Sequence, residues 1–375
     1  MKNKIRVLHV IPGMASGGVA KLAQEWYENI NKNEFEMEIA TLDTLGLFSN
    51  ILSEKGCKII TFKPLREVGL FKYIKELNTI IKSGKYDIIH SHMGLLSFLV
   101  FFISIRNKIK CRFLHAHTNL FYNDTSNGIK RVFINSIKKL CVLLATDYFA
   151  CTNEAGNYFF GNKITKTNKY TLLLNGINID KFAFNSEKRI EMRDRYIKNN
   201  EFIIGNVGRF SEQKNHKFIL KVFNEIIKID NNCKLWLIGE GEDESKIKDL
   251  VNDLGLENKV EFLGVKSNIE DYMQAMDVFL MPSLFEGLGI VAIEAQATGL
   301  SCVVSTMVPK EVEVSENVIF LSLDDPIIKW SECIYKLKNS IRKNCTNEII
   351  QSGYDTRSCS ELMYRKYKES LKNWQ

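Results

Sequence analysis

The sequence predicts an α/β protein with two parallel, doubly wound sheets. Short apolar runs alternate with amphipathic helical segments along most of the 375 residues, and such alternation is typical of βα repeats. It breaks once, at 175–178 (NGIN), and resumes after a polar segment that ends near Asn200. With 45% hydrophobic residues, a chain of this length can form two cored domains. We therefore expect an N-terminal domain over 1–178 and a C-terminal domain over 179–356.

Seven strands are predicted in the first domain. The first, 5–11, ends at Pro12 and leads through a glycine loop (GMASGG) into a helix at 19–30. Ligands of doubly wound sheets bind at the carboxyl ends of the strands, where this loop lies. The other six strands are expected at 37–42, 58–62, 86–90, 112–117, 147–152 and 171–174.

The second domain is predicted to repeat this arrangement with a shorter series of strands. They are expected at 202–207, 234–238, 259–263, 277–281, 301–305 and 318–321. Helices are expected between them, because the intervening segments have helical periodicity.

Composition limits the functions that the chain can have. The formal net charge of +7 comes from lysines spread along the chain, and no arginine block interleaved with aromatics suggests nucleic acid. The nine cysteines are scattered singly without a CxxC pair, which favours free thiols in a reducing compartment. The first apolar run is too short for a signal-peptide core, and no run of about 18 apolar residues could span a bilayer. We expect a cytoplasmic protein, at most attached to the inner membrane surface.

The stretch 282–303 (PSLFEGLGIVAIEAQATGLSCV) carries the strongest chemical signal. It follows a buried strand and opens with glycines before an apolar helix, so its pattern is strand, glycine loop and helix start. The first N–H groups of that helix, about those of Leu288, Gly289 and Ile290, have no partner within the helix. Such groups form a cradle for an anion, and a phosphate would fit there.

Two carboxylates lie in the same, otherwise almost uncharged stretch. Glu286 is on the loop and Glu294 is two turns into the helix. Buried carboxylates need partners, and a polyhydroxyl ligand supplies hydroxyl donors. The alternative is a structural strand-turn-helix whose glutamates cap the helix start and pair with a neighbouring base.

The stretch resembles the signature of the family 4 (group 1) retaining glycosyltransferases of the GT-B fold, whose members move a sugar from a nucleotide diphosphate to an acceptor. The resemblance implies two Rossmann-like domains facing a central cleft, the first binding the acceptor and the second the nucleotide sugar. It also implies that the C-terminal helix, 357–375, packs back on the first domain. In that family the residue matching Glu286 faces the donor sugar and the one matching Glu294 holds the ribose hydroxyls.

A second motif, GNVGRFSEQKN at 205–215, follows the first strand of the second domain. Arg209 and Lys214 lie five residues apart on a loop that also carries Gly208. Two fixed cations there could straddle a diphosphate and stabilise it as it leaves. The alternative is a pair of solvated loop cations; the Gly-Arg, then Lys, pattern of the family favours the diphosphate.

Two glycine turns are weaker signals. Gly17 and Gly18 end the loop after the first strand, which matches neither GxGxxG nor a Walker loop. The resemblance implies that this loop faces the donor diphosphate and the acceptor. Gly264 lies at the end of another strand, where relatives contact the nucleotide base through the backbone, although a tight strand-exit turn is the alternative.

Histidines cluster at two strand ends, His90 and His92 in IIHSHMG and His115 and His117 in FLHAHTN. Alternate residues of a strand share a face, so one histidine of each pair can point to a ligand. A metal site is disfavoured, because no carboxylate or cysteine spacing supports one. The resemblance implies that His117, followed by Thr118, lies against the donor sugar, while His92 and His115 have supporting or core roles.

No metal and no cofactor are expected. The chain contains no Asp-x-Asp pair, which removes the usual metal-binding signal of the other large glycosyltransferase fold. Cationic side chains and helix ends are expected to replace a divalent ion, and the nucleotide sugar is a substrate.

Two segments of the first domain have apolar faces with basic residues, 95–105 and 129–144. For the segment 95–105, a core helix of the sheet is a better explanation than membrane docking. The second carries Lys130, Arg131, Lys138 and Lys139 beside Phe133, Ile137 and Leu140, which is compatible with docking on anionic lipid.

The sequence departs from the family at several positions. Asn178 stands where many relatives have Asp and Gly289 where many have Pro, and STMVPKEVEV (305–314) replaces a glycine-rich turn. This replacement and the HAHT strand resemble enzymes of capsular or exopolysaccharide assembly.

The resemblance implies a retaining, metal-independent hexosyl- or N-acetylhexosaminyltransferase. It would use a nucleotide-diphosphate sugar, in the first instance a UDP-sugar, and a hydroxyl of a glycan or polyprenyl-linked acceptor. The alternatives from other classes are a nucleotide-sugar epimerase of similar fold, a phosphorylase with a pyridoxal lysine, and a catalytically silent binding protein.

Overall fold

The computed structural model divides the chain into two compact units. Unit 1 comprises Met1–Gly176 and Thr356–Gln375, and unit 2 comprises Ile177–Asp355. The boundary predicted after residue 178 lies two residues beyond the end of the first segment of unit 1. The residues that the structure describes are 4–14, 18–42, 46–117 and 128–374.

Unit 1 contains a seven-stranded parallel sheet in the order β3-β2-β1-β4-β5-β6-β7. The strands read as nearly continuous apolar runs because helices cover both faces. The order reverses between β1 and β4, and doubly wound sheets bind ligands at such a switch point. The strands are β1 Ile5–Ile11, β2 Phe35–Thr41, β3 Lys58–Thr61, β4 Ile88–Ser91, β5 Cys111–Ala116, β6 Asp147–Ala150 and β7 Tyr170–Leu172.

The helices of unit 1 come from both ends of the chain. They are α1 Gly18–Glu28, α2 Leu47–Glu54, α3 Leu65–Gly84, α4 Ser97–Arg106, α5 Ile129–Leu144, α6 Asn153–Phe160 and, from the C-terminus, α15 Thr356–Lys372. Buried side chains of α15, among them Met363, Tyr364 and Tyr367, share one apolar core with residues of α1 and β1. The C-terminal helix therefore completes the core of unit 1.

Unit 2 repeats the same topology with six parallel strands in the order β10-β9-β8-β11-β12-β13. Its switch point lies between β8 and β11. The strands are β8 Phe202–Val207, β9 Cys233–Ile238, β10 Val260–Gly264, β11 Val278–Met281, β12 Ser301–Ser305 and β13 Val318–Leu321. The helices are α7 Ile179–Phe182, α8 Ser186–Tyr196, α9 His216–Ile229, α10 Glu244–Asp253, α11 Ile269–Ala275, α12 Ile290–Ala297, α13 Ile327–Lys336 and α14 Thr346–Gln351.

The chain enters and leaves unit 2 at neighbouring positions. Ile177 forms an isolated parallel bridge with Asp355, and its N–H donates to the carbonyl of Tyr354 at 2.8 Å. The first and last residues of this unit are thus joined through their backbones.

The predicted α/β class with two doubly wound parallel sheets is confirmed, and each predicted strand is present. Strand ends differ by a few residues for local reasons. The strand predicted at 147–152 ends at Ala150, because the side chain of Thr152 caps α6 by accepting from the N–H of Ala155 at 3.1 Å. Among the described residues, none of the helices combines the length and the apolar character that crossing a bilayer requires.

Candidate active site

The switch point of unit 2 brings together two of the predicted site residues. Lys214 ends a short 3-10 turn after β8, and Glu286 lies on the loop after β11. The Nζ atom of Lys214 is 2.6 Å from Oε1 of Glu286, and the two side chains are only 14% and 6% exposed. An ion pair removed from water to this extent is costly to break on one side.

Hydrogen bonds between the two loops hold this pair in place. Gln213 donates from Nε2 to Oε2 of Glu286 at 3.3 Å and to the preceding carbonyl at 3.0 Å. The N–H of Leu284 donates to the carbonyl of Gln213 at 2.8 Å. Asn215, whose φ of 56° is left-handed, donates from Nδ2 to the carbonyl of Pro282 at 3.1 Å. The pair is therefore positioned by both loops before any ligand binds.

The predicted anion cradle lies at the start of α12. Leu288 is buried, Gly289 is the N-cap and Ile290 is the first helical residue. No side chain among the described residues caps this end, and the first turn carries no acidic residue. The free N–H groups and the helix dipole both favour an anion here.

Glycine at position 289 is required by the backbone. Its φ is 85°, and a Cβ there would lie 3.1 Å from Cε of Met281 and 3.3 Å from Cγ1 of Val308. Proline fixes φ near −65°, so a proline at this position could not adopt this conformation. The other predicted carboxylate, Glu294, is buried within α12.

Arg209 lies in different surroundings from Lys214. Its side chain is 68% exposed, and Nη2 lies 2.9 Å from Oε2 of the exposed Glu242. Exposed ion pairs of this kind contribute little to stability. The structure therefore brings Lys214 to Glu286 but holds Arg209 in a separate ion pair.

Close backbone packing fixes the loop that carries both cations. A Cβ on Gly208 would lie 3.3 Å from the methylene chain of Lys214, and one on Gly239 would lie 2.0 Å from the carbonyl oxygen of Gly208. The N–H of Gly239 in turn donates to the carbonyl of Gly264, at the end of β10, at 3.0 Å. Three strand-end loops of unit 2 are thus packed against one another.

Sequence reasoning missed several polar groups near this switch point. Asn206 Oδ1, Ser283 Oγ and both ring nitrogens of His216 are buried without a hydrogen-bond partner among the described residues. Burial, followed by the positive charge of Lys214, lowers the pKa of His216 to about 4. Their position could have indicated them, because Asn206 lies in β8, Ser283 follows β11 and His216 begins α9.

The glycine loop of unit 1 is described only in part. Gly18 is the first residue of α1, and a Cβ there would meet no atom of the described residues within 4 Å. Gly17 lies outside the described residues, as does Thr118. The predicted roles of these residues stay predictions.

Five histidines form one hydrogen-bonded cluster in unit 1, which we call the histidine cluster: His9, His90, His92, His115 and His117. His9 Nδ1 lies 3.2 Å from His92 Nε2, and His92 Nδ1 lies 2.8 Å from His117 Nε2. His90 Nε2 lies 3.2 Å from His115 Nδ1. Each imidazole therefore has another imidazole as a partner.

The hydroxyl of Tyr367, on α15, joins the two parts of the histidine cluster. It lies 2.5 Å from Nδ1 of His90 and 3.3 Å from Nε2 of His9. Sequence reasoning missed Tyr367, His9 and Trp26, whose ring stacks on several of the imidazoles. The strand register could have indicated His9, because it pairs with His90 across β1 and β4.

The histidine cluster is neutral at physiological pH. Burial lowers the pKa of His9 and of His117 to about 3. The pKa values of the other three are also lowered, first by burial and then by neighbouring imidazoles. His92 and His115, for which supporting or core roles were predicted, are buried, whereas His117 is partly exposed.

Two groups of three ring nitrogens in the histidine cluster lie close enough to hold a metal ion. Within each group, the nitrogens are within 4.8 Å of one another: His9, His90 and His92, and His92, His115 and His117. One pair in each group is hydrogen-bonded, His9 with His92 and His92 with His117. The sequence-based prediction of a metal-independent enzyme stays a prediction.

The two segments with apolar and basic faces differ in exposure. In α4 most apolar side chains are buried, as a core helix requires. In α5 one stripe is exposed, whereas Lys138 is buried with its Nζ 3.4 Å from the ring centroid of Tyr158. Lys138 thus packs inward, and the exposed apolar residues are Ile129, Val132, Phe133, Leu140 and Leu143.

Comparisons with known proteins agree with this architecture. The family model described as "Glycosyl transferases group 1" matches residues 187–321. The solved structure of HepE of Anabaena, in complex with UDP and glucose, superposes with a TM-score of 0.78 at 16% identity, covering 97% of this chain and 99% of that one. This likeness shows the GT-B fold that the resemblance implied.

Two sequence relatives extend over nearly the whole chain. The capsular polysaccharide biosynthesis glycosyltransferase CapH of Staphylococcus aureus is 26% identical over 96% of this chain and 99% of its own length. EpsF of Bacillus subtilis (strain 168), whose name assigns it to the glycosyltransferases, is 30% identical over 93% of both chains. At this identity and coverage, the chain belongs to the group 1 glycosyltransferases.

Proposed function

We propose that the enzyme transfers a hexosyl or N-acetylhexosaminyl group, with retention, from a UDP-sugar to a hydroxyl of a glycan or polyprenyl-linked acceptor. The proposed setting is capsular or exopolysaccharide assembly, as the name of CapH states for that relative. UDP is the nucleotide in the HepE complex. The observation that carries the proposal is the buried Lys214–Glu286 pair at the switch point of unit 2, beside the uncapped start of α12.

The donor is proposed to bind at this switch point. Its diphosphate would lie against the N–H groups at the start of α12, where backbone amides and the helix dipole attract negative charge. Lys214 would supply the cationic partner, and Arg209 a second one from the exposed loop. Glu286, next to Lys214, would accept from hydroxyls of the sugar, and Glu294 would hold the ribose.

The proposed reaction proceeds on one face of the sugar. The bond between the anomeric carbon and the β-phosphate oxygen breaks as the acceptor oxygen attacks from the same side, and the acceptor proton passes to that phosphate. Charge accumulates on the departing diphosphate, so a cation fixed beforehand lowers the barrier. Exclusion of water would limit hydrolysis of the donor. His117 in unit 1 is proposed to contact a sugar hydroxyl.

Lys214 and Glu286 test the donor site directly. Lys214→Ala should lower kcat/KM for transfer about 100-fold, which is typical when one donor to the transition-state charge is lost. Glu286→Ala should have a comparable effect. Lys329→Ala is the matched control, because it removes a lysine of unit 2 that is 56% exposed and forms an ion pair with Asp325. Wild-type rates in both folded site variants would overturn the assignment.

The substrates can be found in two steps. Thermal stabilisation by UDP, GDP, ADP and CMP would identify the base, because a ligand of the native state raises apparent stability; UDP is expected to give the largest shift. Donor turnover is then measured with and without glycan and polyprenyl-diphosphate acceptors. Conversion of the donor to an epimer without any acceptor would contradict transfer.

The exposed stripe of α5 is proposed to dock on an anionic membrane. Its apolar residues are flanked by the exposed cations Lys130, Arg131 and Lys139, and the helix contains no acidic residue. A basic amphipathic helix gains apolar burial and attraction to anionic headgroups, about 1 kcal/mol for each basic residue near the surface. A polyprenyl-linked acceptor would be reached from such a position.

Vesicle sedimentation tests this docking. We expect binding to phosphatidylglycerol vesicles, weak binding to phosphatidylcholine, and a loss of at least tenfold in affinity for Val132→Asp/Phe133→Asp. Ile341→Asp is the control, since Ile341 is also exposed, on unit 2, and also lies next to two basic residues. Equal binding by all three proteins, or self-association without vesicle binding, would contradict the proposal.

A further inference from the structure

A continuous series of hydrogen bonds joins the histidine cluster to Tyr367. Five bonds join six groups: Tyr367 to His90 and to His9, His90 to His115, His9 to His92, and His92 to His117. The two terminal nitrogens, His115 Nε2 and His117 Nδ1, have no hydrogen-bond partner among the described residues. The arrangement is therefore an unbranched chain with Tyr367 in its interior and with His115 and His117 at its two ends.

The number of protons in this chain allows only two arrangements. Each neutral imidazole carries one N–H, and the tyrosine carries one O–H, so six protons serve five bonds. One proton remains and must lie on one of the two terminal nitrogens. If Tyr367 donates to His90, every histidine of the cluster is protonated at Nε2; if it donates to His9, every one is protonated at Nδ1.

The geometry distinguishes these arrangements. The Tyr367 hydroxyl is 2.5 Å from His90 and 3.3 Å from His9. O–H donors form shorter bonds than N–H donors, so the short contact matches the O–H donating to His90. His9 then donates from Nε2 to the tyrosine oxygen, and the order continues through His92. His117 donates from Nε2 to His92 and keeps an unprotonated Nδ1.

We propose that Tyr367 is a positioning residue that fixes the tautomer of His117 through His9 and His92, so that His117 presents Nδ1 as a hydrogen-bond acceptor to a sugar hydroxyl. The contact with sugar rests on the proposed function; the tautomer does not. Burial supports the neutrality that the proton count requires, because desolvation disfavours the charged imidazole. His117 is the one partly exposed member of the histidine cluster, and its Nδ1 atom, although buried, has no hydrogen-bond partner among the described residues. A sugar hydroxyl would have to enter beside this ring to fill that acceptor.

Ring-nitrogen NMR of [15N]histidine-labelled protein tests the proposal. The chain has six histidines, five in the cluster, with His216 of unit 2 as an internal reference, and the shifts of the two ring nitrogens identify the tautomer. The wild-type protein at neutral pH is expected to show all five as neutral Nε2–H tautomers. Any member of the cluster protonated at Nδ1, charged, or in a mixture would overturn the proposal.

Substitutions then separate the relay from simple packing. Tyr367→Phe removes the oxygen that accepts from His9 Nε2. Nothing then fixes which nitrogen is protonated in His9, His92 and His117, so His117 should change from one tautomer to a mixture. Tyr364→Phe is the matched control: Tyr364 is also buried on α15, but its hydroxyl donates to the carbonyl of Trp26 at 2.8 Å. His117 should keep its tautomer there. Unchanged tautomers in folded Tyr367→Phe would overturn the proposal.

A second variant covers the case in which Tyr367→Phe does not fold. His92→Leu cuts the hydrogen-bond chain to His117 and leaves the bonds of Tyr367 to His90 and of His90 to His115. His90 and His115 should stay Nε2–H while His117 becomes a mixture; a His117 that keeps its tautomer would overturn the relay. Because NMR of the free protein needs no substrate, this result is independent of the transfer assays, which test the proposed function.

Discussion

The buried ion pair of unit 2 leads to a quantitative prediction. Lys214→Met leaves the carboxylate of Glu286, 6% exposed, without its cation, and Glu286→Gln leaves the ammonium of Lys214 without its anion. Removing one partner of a buried pair costs about 3–5 kcal/mol. Because Lys214 is 14% exposed and water reaches it in part, we expect the lower value, about 3 kcal/mol, for each single substitution.

The double variant should cost far less than the sum of the singles. Replacing both partners removes the charge left unpaired, so Lys214→Met/Glu286→Gln is expected to lose about 3 kcal/mol or less. The interaction energy is then about 3 kcal/mol, at the upper end for neighbouring residues. The same cycle on Lys329 and Asp325, which are 56% and 23% exposed, should give less than about 1 kcal/mol.

Hydrogen exchange measured by mass spectrometry in increasing urea is the suitable assay. Two compact units need not unfold in a single transition, and exchange reports the opening energy of peptides in unit 2 separately. An interaction energy no larger than that of the control pair would refute the burial argument for the site. Recovered stability without recovered sugar transfer would separate the role of the pair in folding from its proposed role in catalysis.

Three further predictions follow from other features. Gly239→Ala should destabilise unit 2 by about 2 kcal/mol, since its Cβ would overlap the carbonyl oxygen of Gly208. Urea unfolding measures this loss, and Gly255→Ala is the control, because Gly255 also has a positive φ but no described atom lies within 4 Å of its Cβ position. Equal losses of stability in the two variants would contradict the clash. Unit 1 should lose stability as pH falls from 6.5 towards 3, because the histidines of the unfolded chain are protonated in this range while the buried imidazoles stay neutral. With a pKa of about 3 in the folded protein, His9 alone lowers the free energy of unfolding by about 2 kcal/mol at pH 5. Melting temperatures between pH 7.5 and 5 check this, and a flat profile would be inconsistent with neutral burial. Dialysis against EDTA should leave the transfer rate unchanged; a loss that Mn²⁺ or Zn²⁺ restores would show metal dependence.

Much of the architecture could be predicted from the sequence. Apolar runs of strand length alternated with helical periodicity, and two sheets with their switch points followed from that alternation. Glu286 and Lys214 could also be singled out, each from its own loop. Their salt bridge could not, because it depends on the left-handed turn at Asn215 and on hydrogen bonds between loops distant in sequence.

Other features depended on contacts that no local pattern encodes. The exposure of Arg209 and the inward position of Lys138 are set by neighbours, Glu242 and Tyr158, from other segments. The histidine pairs were visible as alternating residues, but the bond from His90 to Tyr367 joins residues 277 positions apart. Such contacts need the assembled fold.

The contribution of α15 to unit 1 has a consequence for biosynthesis. When residue 176 has been synthesised, the side chains of Met363, Tyr364 and Tyr367 that fill this core do not yet exist, and roughly 200 residues must be translated before α15 is complete. At about 5–20 residues per second this takes about 10–40 s. During that interval the nascent segment exposes apolar surface that chaperones could bind, whereas unit 2, which is continuous in sequence, can fold first. Completion of the amino-terminal unit therefore follows the synthesis of α15.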